Sequence, residues 1–203
     1  MSGACRVVVM TRAPVPGETK RRLIQAIGAE RAAALHRAMI RRAVATALQS
    51  GVGPVELWCT PGTDHEVLRS LRSRTQVELH VQVGTDLGER MHAAIAARPG
   101  VAAVIGTDCP FLEPDDLLLT AGALNRGDAD VVIVPAFDGG YVLIAVDRPR
   151  PELFRGVDWG TERVLAQTRE RACGARLRLL ELEARRDVDR PEDLDALAGV
   201  LDW

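Results

Sequence analysis

The residues in this chain best suited to chemistry are cations and carboxylates that stand where apolar runs end. The first group lies in Thr11-Arg12-Ala13-Pro14-Val15-Pro16-Gly17-Glu18-Thr19-Lys20-Arg21-Arg22-Leu23. Two prolines stiffen this stretch, Gly17 permits a positive φ or a close backbone approach, and consecutive cations end it. Arginine offers a bidentate fork to phosphate oxygens and lysine a compact charge, so Arg12, Lys20 and Arg22 read as a polyphosphate holder. A solvated basic helix start is the competing reading. The stretch is not a P-loop, because the glycine-rich frame before the lysine is missing.

The carboxylates come later. In Ile105-Gly106-Thr107-Asp108-Cys109-Pro110, Asp108 directly follows an apolar run and Pro110 fixes the chain after it. A hard divalent cation wants such a carboxylate and can bridge it to phosphate oxygens. In Asp187-Val188-Asp189-Arg190-Pro191, Asp189 either caps the helix begun by Pro191 or adds a second carboxylate for the same cation. Asp138-Gly139-Gly140-Tyr141 reads as a tight turn that also offers a carboxylate. Trp159-Gly160-Thr161 supplies an aromatic face for a sugar or a base, with plain packing as the alternative. Finally, Gln82-Val83-Gly84-Thr85-Asp86-Leu87-Gly88-Glu89-Arg90 is a glycine-containing turn in which Asp86 caps the helix that carries Arg90.

To bring these segments together the chain must alternate strands and helices, and its pattern does so. Short β-branched runs predict strands at 6–11, 55–60, 77–82, 101–106, 130–136, 141–146 and 176–182. Most lack polar alternation, as expected of central strands covered on both faces. Only 137–140 separate the fifth and sixth runs, too few for a parallel crossover, so the sixth turns back antiparallel and the sheet is mixed. Apolar residues at spacings of three and four predict helices at 29–49, 64–72, 87–97, 114–125, 161–173 and 191–201. In the first of these, Leu35, Met39, Ala43 and Ala47 form one stripe and Ile40, Val44 and Leu48 the next, both facing the sheet. Ligands of open α/β sheets bind beyond the carboxyl ends of the strands, which is where the segments above lie.

Composition narrows the classes. A chain of 203 residues, 47% hydrophobic, suits one domain spanning 1–203 and is short for two. With 26 basic and 28 acidic residues the formal charge is -2, which leaves no bulk attraction for nucleic acid or an anionic membrane. No apolar run approaches the ~20 residues that span a bilayer. Residues 1–11 enter an apolar stretch without a basic leader or a small-residue cleavage site, so a cytoplasmic location is expected. The cysteines Cys5, Cys59, Cys109 and Cys173 are far apart and read as reduced small hydrophobes.

Taken in order, Ala13-Pro14-Val15-Pro16-Gly17 with Lys20, Arg22 and Leu23; Gln82 with Leu87-Gly88-Glu89-Arg90-Met91; Gly106 to Pro110; Pro135-Ala136 with Asp138 to Tyr141; Trp159; and Asp187-Val188-Asp189 with Pro191-Glu192-Asp193-Leu194 form six blocks. The pattern resembles a bacterial family of small, provisionally assigned nucleotide-diphospho-sugar transferases, some named arsenosugar-biosynthesis glycosyltransferases. The resemblance covers nearly the whole chain. It implies a GT-A, Rossmann-like α/β fold, shared with molybdenum-cofactor and phospholactate guanylyltransferases, with a mixed, mainly parallel sheet of about seven strands flanked by helices. It further implies phosphate binding by Lys20 and Arg22 and Mg²⁺ or Mn²⁺ held by Asp108 and Asp189. Gly17, Gln82, Gly88 and Arg90 of these blocks, with Arg12 just ahead of the first, are assigned to the nucleotide side. Asp138, Gly139, Gly140, Tyr141, Trp159 and Thr161 are assigned to the substrate side; Asp138, on the same edge and next to glycine backbone that allows close approach, is the candidate for orienting or deprotonating the acceptor. Arg12, Arg21 and Gly160 stand where the family usually has lysine, threonine and serine.

The expected partners are a nucleotide sugar or a nucleoside triphosphate and a small-molecule acceptor. Transfer of a glycosyl group comes first, nucleotidyl transfer second, and a nucleotide sensor without turnover third. A homodimer is admissible, and an exposed apolar strand edge would be its sign.

Overall fold

The computed structural model describes residues 3–203, so the first two positions of the stretch 1–11 fall outside it. The strands are β1 (Arg6–Arg12), β2 (Val55–Thr60), β3 (Glu78–Val81), β4 (Ala102–Ile105), β5 (Val131–Pro135), β6 (Tyr141–Val146) and β7 (Leu179–Glu181). They form one sheet in the order β3-β2-β1-β4-β6-β5-β7, in which only β6 runs against its neighbours. The expected α/β class and mixed sheet are therefore present. The helices are α1 (Ile24–Ile27), α2 (Ala29–Ser50), α3 (Glu66–Thr75), α4 (Leu87–Ala96), α5 (Pro114–Asn125) and α6 (Val164–Gly174), with 3-10 turns at Arg21–Leu23, Pro151–Leu153 and Pro191–Leu197.

Successive side chains of β1 feed opposite faces of the sheet. Val7 and Val9 pack with Ile40, Ala43, Val44 and Ala47 of α2. Val8 and Met10 pack with Met91, Ala94 and Ile95 of α4 and with Leu165 of α6. Apolar side chains on both faces explain the unbroken hydrophobic run, because neither face meets water. A third, smaller cluster joins Leu23, Leu35, Met39, Val188 and Leu197. It sits outside the sheet and clamps the segment after β1 to the segment after β7.

Some expectations are corrected. Leu35 and Met39 face this third cluster rather than the sheet. Leu48 is 40% exposed, since the stripe rotates out of contact over the last turn of a 22-residue helix. The runs expected at 77–82 and 176–182 are the short edge strands β3 and β7 rather than central ones, and Val81 stays 47% exposed. The predicted helix 191–201 is a 3-10 turn over Pro191–Leu197. Aspartates and Pro191 favour its start, but its only fully covered apolar side chain is Leu197, too little packing to carry a full α-helix. Among the described residues no helix is long and apolar enough to cross a membrane.

At the amino-terminal ends of the strands the buried Arg6 donates from Nη1 to Glu56 Oε2 (2.9 Å) and to the Ala94 carbonyl (3.0 Å). Its Nη2 reaches the Ile95 carbonyl at 2.8 Å, so one guanidinium closes the end of α4 and pairs a buried carboxylate. Removing Arg6 leaves Glu56 buried with the half-exposed Arg98 at 3.4 Å and the Trp58 indole N–H at 2.9 Å beside it. Arg6→Met is expected to lower unfolding free energy by about 3–5 kcal/mol, measured by denaturant titration. A loss below about 1 kcal/mol would show that Glu56 finds water or Arg98 instead.

Candidate active site

After β1 the chain adds β2 and β3 on one side, then returns to place β4 on the other. The loops leaving β1 and β4 therefore diverge, and a crevice opens between them, as the strand-order reversal of an open α/β sheet requires. The crevice has a volume of about 760 Å³, within the range of a small-molecule site. Because β6 runs antiparallel, the β5–β6 turn opens onto the same edge, and the segment after β7 reaches it as well.

Three charged residues from three separate loops meet at its floor. Lys20 Nζ lies 2.7 Å from Asp108 Oδ1 and 2.8 Å from Asp189 Oδ1, and it donates to the Val188 carbonyl at 2.6 Å. The ammonium thus hydrogen-bonds Asp189 and the Val188 carbonyl and forms an ion pair with Asp108. The Lys20 side chain is 5% exposed, whereas those of Asp108 and Asp189 are 51% and 37% exposed, so the carboxylates look outward past the ammonium. Burial works against the lysine charge, but the two carboxylates outweigh it and hold the ammonium above its ordinary pKa. Desolvation likewise opposes ionisation of Asp108, and Lys20 prevails there too, keeping the carboxyl below its usual range.

The local backbone explains why these groups are free to meet. Lys20 takes a left-handed conformation (φ 46°) after the turn at Gly17 (φ 83°), which reverses the side chain into the crevice. Leu23 and Val188 are fully buried in the small third cluster, and this packing presses their loops together. The backbone N–H of Val188 donates to the Asp108 carbonyl at 2.8 Å, joining the third loop. Asp189 does not cap the turn that follows it; Asp193 Oδ2 takes the N–H groups of Asp189 and Arg190 instead. Nor does Asp108 cap α5, whose start is closed by Glu113 and Asp116.

Of the other expected site residues, Arg12, Arg22, Gln82, Asp138, Gly140, Tyr141, Trp159 and Thr161 line the same crevice. Arg22 Nη1 is 3.8 Å from Asp189 Oδ2. Gln82 spends its amide N–H groups on the carbonyls of Thr11 and Trp58, both at 2.9 Å, and so ties the strand ends together. Thr161 Oγ1 donates to the Asp158 carbonyl at 2.7 Å, so its hydroxyl is engaged locally. Asp138 Oδ1 accepts from Gly140 N–H at 2.9 Å, which leaves its second oxygen without a turn partner. Trp159 meets Tyr141 edge-on, ring centroids 6.4 Å apart, as one aromatic corner.

Gly17, Gly88, Arg90 and Gly139 do not line the crevice; Gly17 shapes the turn before Lys20, and the other three hold segments beside the crevice. A Cβ on Gly88 would fall 2.6 Å from the Trp159 ring, and one on Gly139 (φ 88°) would fall 2.2 Å from the Glu162 carbonyl oxygen. Arg90 Nε donates to the Gly84 carbonyl at 3.0 Å, holding the loop before α4.

Sequence reasoning missed Thr19, His36, Thr107 and Asp187. Burial, aided by repulsion from Asp138, pushes the Asp187 carboxyl up to about 6. His36 stands four residues before Ile40 at the head of an apolar stripe, and that misplaced polar residue was the available signal. Cys109 lines the crevice, and burial pushes its thiol up to about 12, which disfavours the thiolate.

A second group of metal-ligand types, Glu56, Glu78 and His80, lies at the opposite end of the strands. Arg6 and Arg98 already pair its carboxylates, and a divalent cation there would face two guanidiniums.

A family model described as an uncharacterized protein conserved in bacteria (DUF2064) matches residues 43–161. The chain belongs to this family. A solved structure from Desulfovibrio desulfuricans G20, provisionally named a nucleotide-diphospho-sugar transferase, is 30% identical with a TM-score of 0.86, covering 97% of this chain and 87% of its own. The expected resemblance to those transferases holds. Molybdopterin-guanine dinucleotide biosynthesis protein A from Archaeoglobus fulgidus shares the fold at 17% identity and TM-score 0.59, covering 96% of this chain and 97% of its own. So does Rv0371c from Mycobacterium tuberculosis H37Rv, solved with manganese, at 15% identity and TM-score 0.61, covering 97% and 99%. No curated protein matches this chain.

The buried histidine of the crevice has a measurable consequence. Burial lowers the His36 pKa from 6.5 to about 4, so between those values the unfolded chain binds a proton that the folded one refuses. Stability is therefore full above 6.5 and falls as pH drops towards 4, by on the order of 3 kcal/mol. The thermal midpoint of His36→Phe is expected to vary less over that window than that of the parent. Equal pH dependence in the two proteins would contradict the assignment.

Proposed function

We propose that this protein transfers a glycosyl group from a nucleotide-diphospho-sugar to a small-molecule acceptor, holding the donor diphosphate in the crevice with Mg²⁺ or Mn²⁺. The observation that carries this reading is Lys20 lodged between Asp108 and Asp189, with Arg12 and Arg22 beside it. Cations that recognise phosphate and carboxylates that recognise a hard cation stand within one hydrogen bond of each other. The relative from Desulfovibrio desulfuricans supports the same donor class by its name.

The donor set fits the metal. Two partly exposed carboxylates suit Mg²⁺ or Mn²⁺, which fill their remaining positions with water and phosphate oxygens. Asp108 and Asp189 would hold the ion, which supplies charge neutralisation for the departing diphosphate. Lys20 has three partners, so taking a phosphate oxygen means giving up one of them, and giving up a carboxylate frees that carboxylate for the ion. Arg12 and Arg22 add their forks to the diphosphate. The corner of Trp159 and Tyr141 offers a face to the sugar or the base. Asp138 accepts the proton of the acceptor hydroxyl as its oxygen bonds to the anomeric carbon and the carbon–oxygen bond to the diphosphate breaks.

A second reading, nucleotidyl transfer from a nucleoside triphosphate, is favoured by the number of cations. Arg12, Lys20, Arg21 and Arg22 all line the crevice, enough to stabilise a departing pyrophosphate.

Incubation with Mg²⁺, nucleotide sugars, nucleoside triphosphates and a cell extract as acceptor source separates the readings. Release of a nucleoside diphosphate is expected. Pyrophosphate release would replace the proposal with the second reading, and binding without either product would leave a nucleotide sensor. Asp108→Asn is expected to keep a cooperative unfolding transition and to lose about tenfold or more of the metal-dependent nucleotide affinity, read by calorimetry. Unchanged affinity would remove Asp108 from the site.

A further inference from the structure

One buried side chain joins the two loops that carry the opposite charges of the site. His36, on α2, is 3% exposed. Its Nδ1 is hydrogen-bonded with Thr19 Oγ1, and its Nε2 lies 3.3 Å from Thr107 Oγ1. Thr19 directly precedes Lys20 and Thr107 directly precedes Asp108. Both threonines are buried as well, at 3% and 4% exposure. A neutral imidazole has one donor and one acceptor nitrogen, and a hydroxyl serves as either, so both ring nitrogens are engaged in either tautomer.

The position is not one that packing alone would fill with histidine. Its neighbours on α2, Leu35, Met39 and Ile40, are fully buried and apolar, and a leucine at 36 would cost no desolvation of a polar ring. The helix is also the right support. Ile40, Ala43, Val44 and Ala47 anchor it to the sheet, and Leu35 and Met39 anchor it to the cluster containing Leu23 and Val188. A ring held on that helix and bonded on both edges fixes how far the two loops stand apart.

We infer that His36 is a positioning residue, which sets the spacing between Lys20 and Asp108 so that nucleotide and metal strengthen each other's binding. The inference rests on the proposed nucleotide and metal site. Such coupling is reciprocal: if Mn²⁺ raises nucleotide affinity by some factor, nucleotide raises Mn²⁺ affinity equally. A residue that sets the spacing controls that factor, whereas a residue that only stabilises the fold lowers both affinities together.

The test uses the full chain and ADP, CDP, GDP and UDP, each titrated by calorimetry with and without Mn²⁺, carrying forward the tightest binder. His36→Phe keeps the ring and loses both hydrogen bonds. It is expected to reduce the Mn²⁺ enhancement about tenfold while nucleotide affinity without Mn²⁺ changes by less than about threefold. His36→Asn and His36→Gln, whose amides replace Nδ1 and Nε2 respectively, are each expected to restore part of the enhancement. Thr107→Val should lose part of it with His36 intact, and it carries the test if His36→Phe does not fold. Full enhancement in His36→Phe or Thr107→Val overturns the inference. So does a loss that is equal with and without Mn²⁺ and follows thermal stability across the variants. Parent protein showing no Mn²⁺ enhancement would sink the function proposal itself, and that result needs no variant.

Discussion

The site depends on a single electrostatic arrangement, a buried ammonium held between two carboxylates that come from distant parts of the chain. Lys20, Asp108 and Asp189 lie after the first strand, after the fourth and after the seventh. No local propensity brings them together. Burying the lysine is unfavourable on its own, and only the two opposite charges and the Val188 carbonyl make it tolerable. Under the proposed function, an incoming polyanion offers the lysine a substitute for a carboxylate it leaves, which links phosphate binding to the exposure of that carboxylate.

The architecture around it serves this meeting. The two-faced sheet puts the ends of β1 and β4 on either side of a crevice, and the antiparallel β6 carries Asp138 to Tyr141 to the same rim. The small cluster of Leu23, Leu35, Met39 and Val188 lies off the sheet and has a separate task. It presses the loop of Lys20 against the loop of Asp189, much as His36 ties the loop of Lys20 to that of Asp108. Hydrophobic burial sets the approach on one side, and hydrogen bonds set it on the other. The glycines that do not touch the crevice matter for the same reason: Gly88 and Gly139 let the Trp159 wall and the β5–β6 turn come closer than any side chain would allow.

Much of this was legible in the sequence. Unbroken apolar runs marked the buried strands, the short 137–140 connection marked the antiparallel reversal, and Pro114 with its acidic neighbours marked the start of α5 to the residue. Charged residues at the ends of such runs pointed to one edge of a sheet, and Lys20, Asp108 and Asp189 do lie in contact there. What could not be read was pairing at a distance. Nothing local tells that Leu35 and Met39 face Leu23 and Val188 rather than the sheet, or that residues 77–82 lie at an edge. His36 was missed because a lone histidine in an apolar stripe carries no sign of the two threonines, one before it and one far after it, that give it a purpose. The last turn was misread because its start signals were good and its packing partners were few.

The central claim is that Asp108 and Asp189 hold a divalent cation once Lys20 turns to the diphosphate. A crystal structure with Mn²⁺ and a nucleoside diphosphate, using the anomalous signal of manganese, tests it directly. The account expects the ion bonded to Asp108 and Asp189 and to the phosphates, with Lys20 Nζ withdrawn from at least one carboxylate onto a phosphate oxygen. Manganese at Glu56, Glu78 and His80 instead, or a bound nucleotide with Lys20 still fixed to both aspartates, would contradict it.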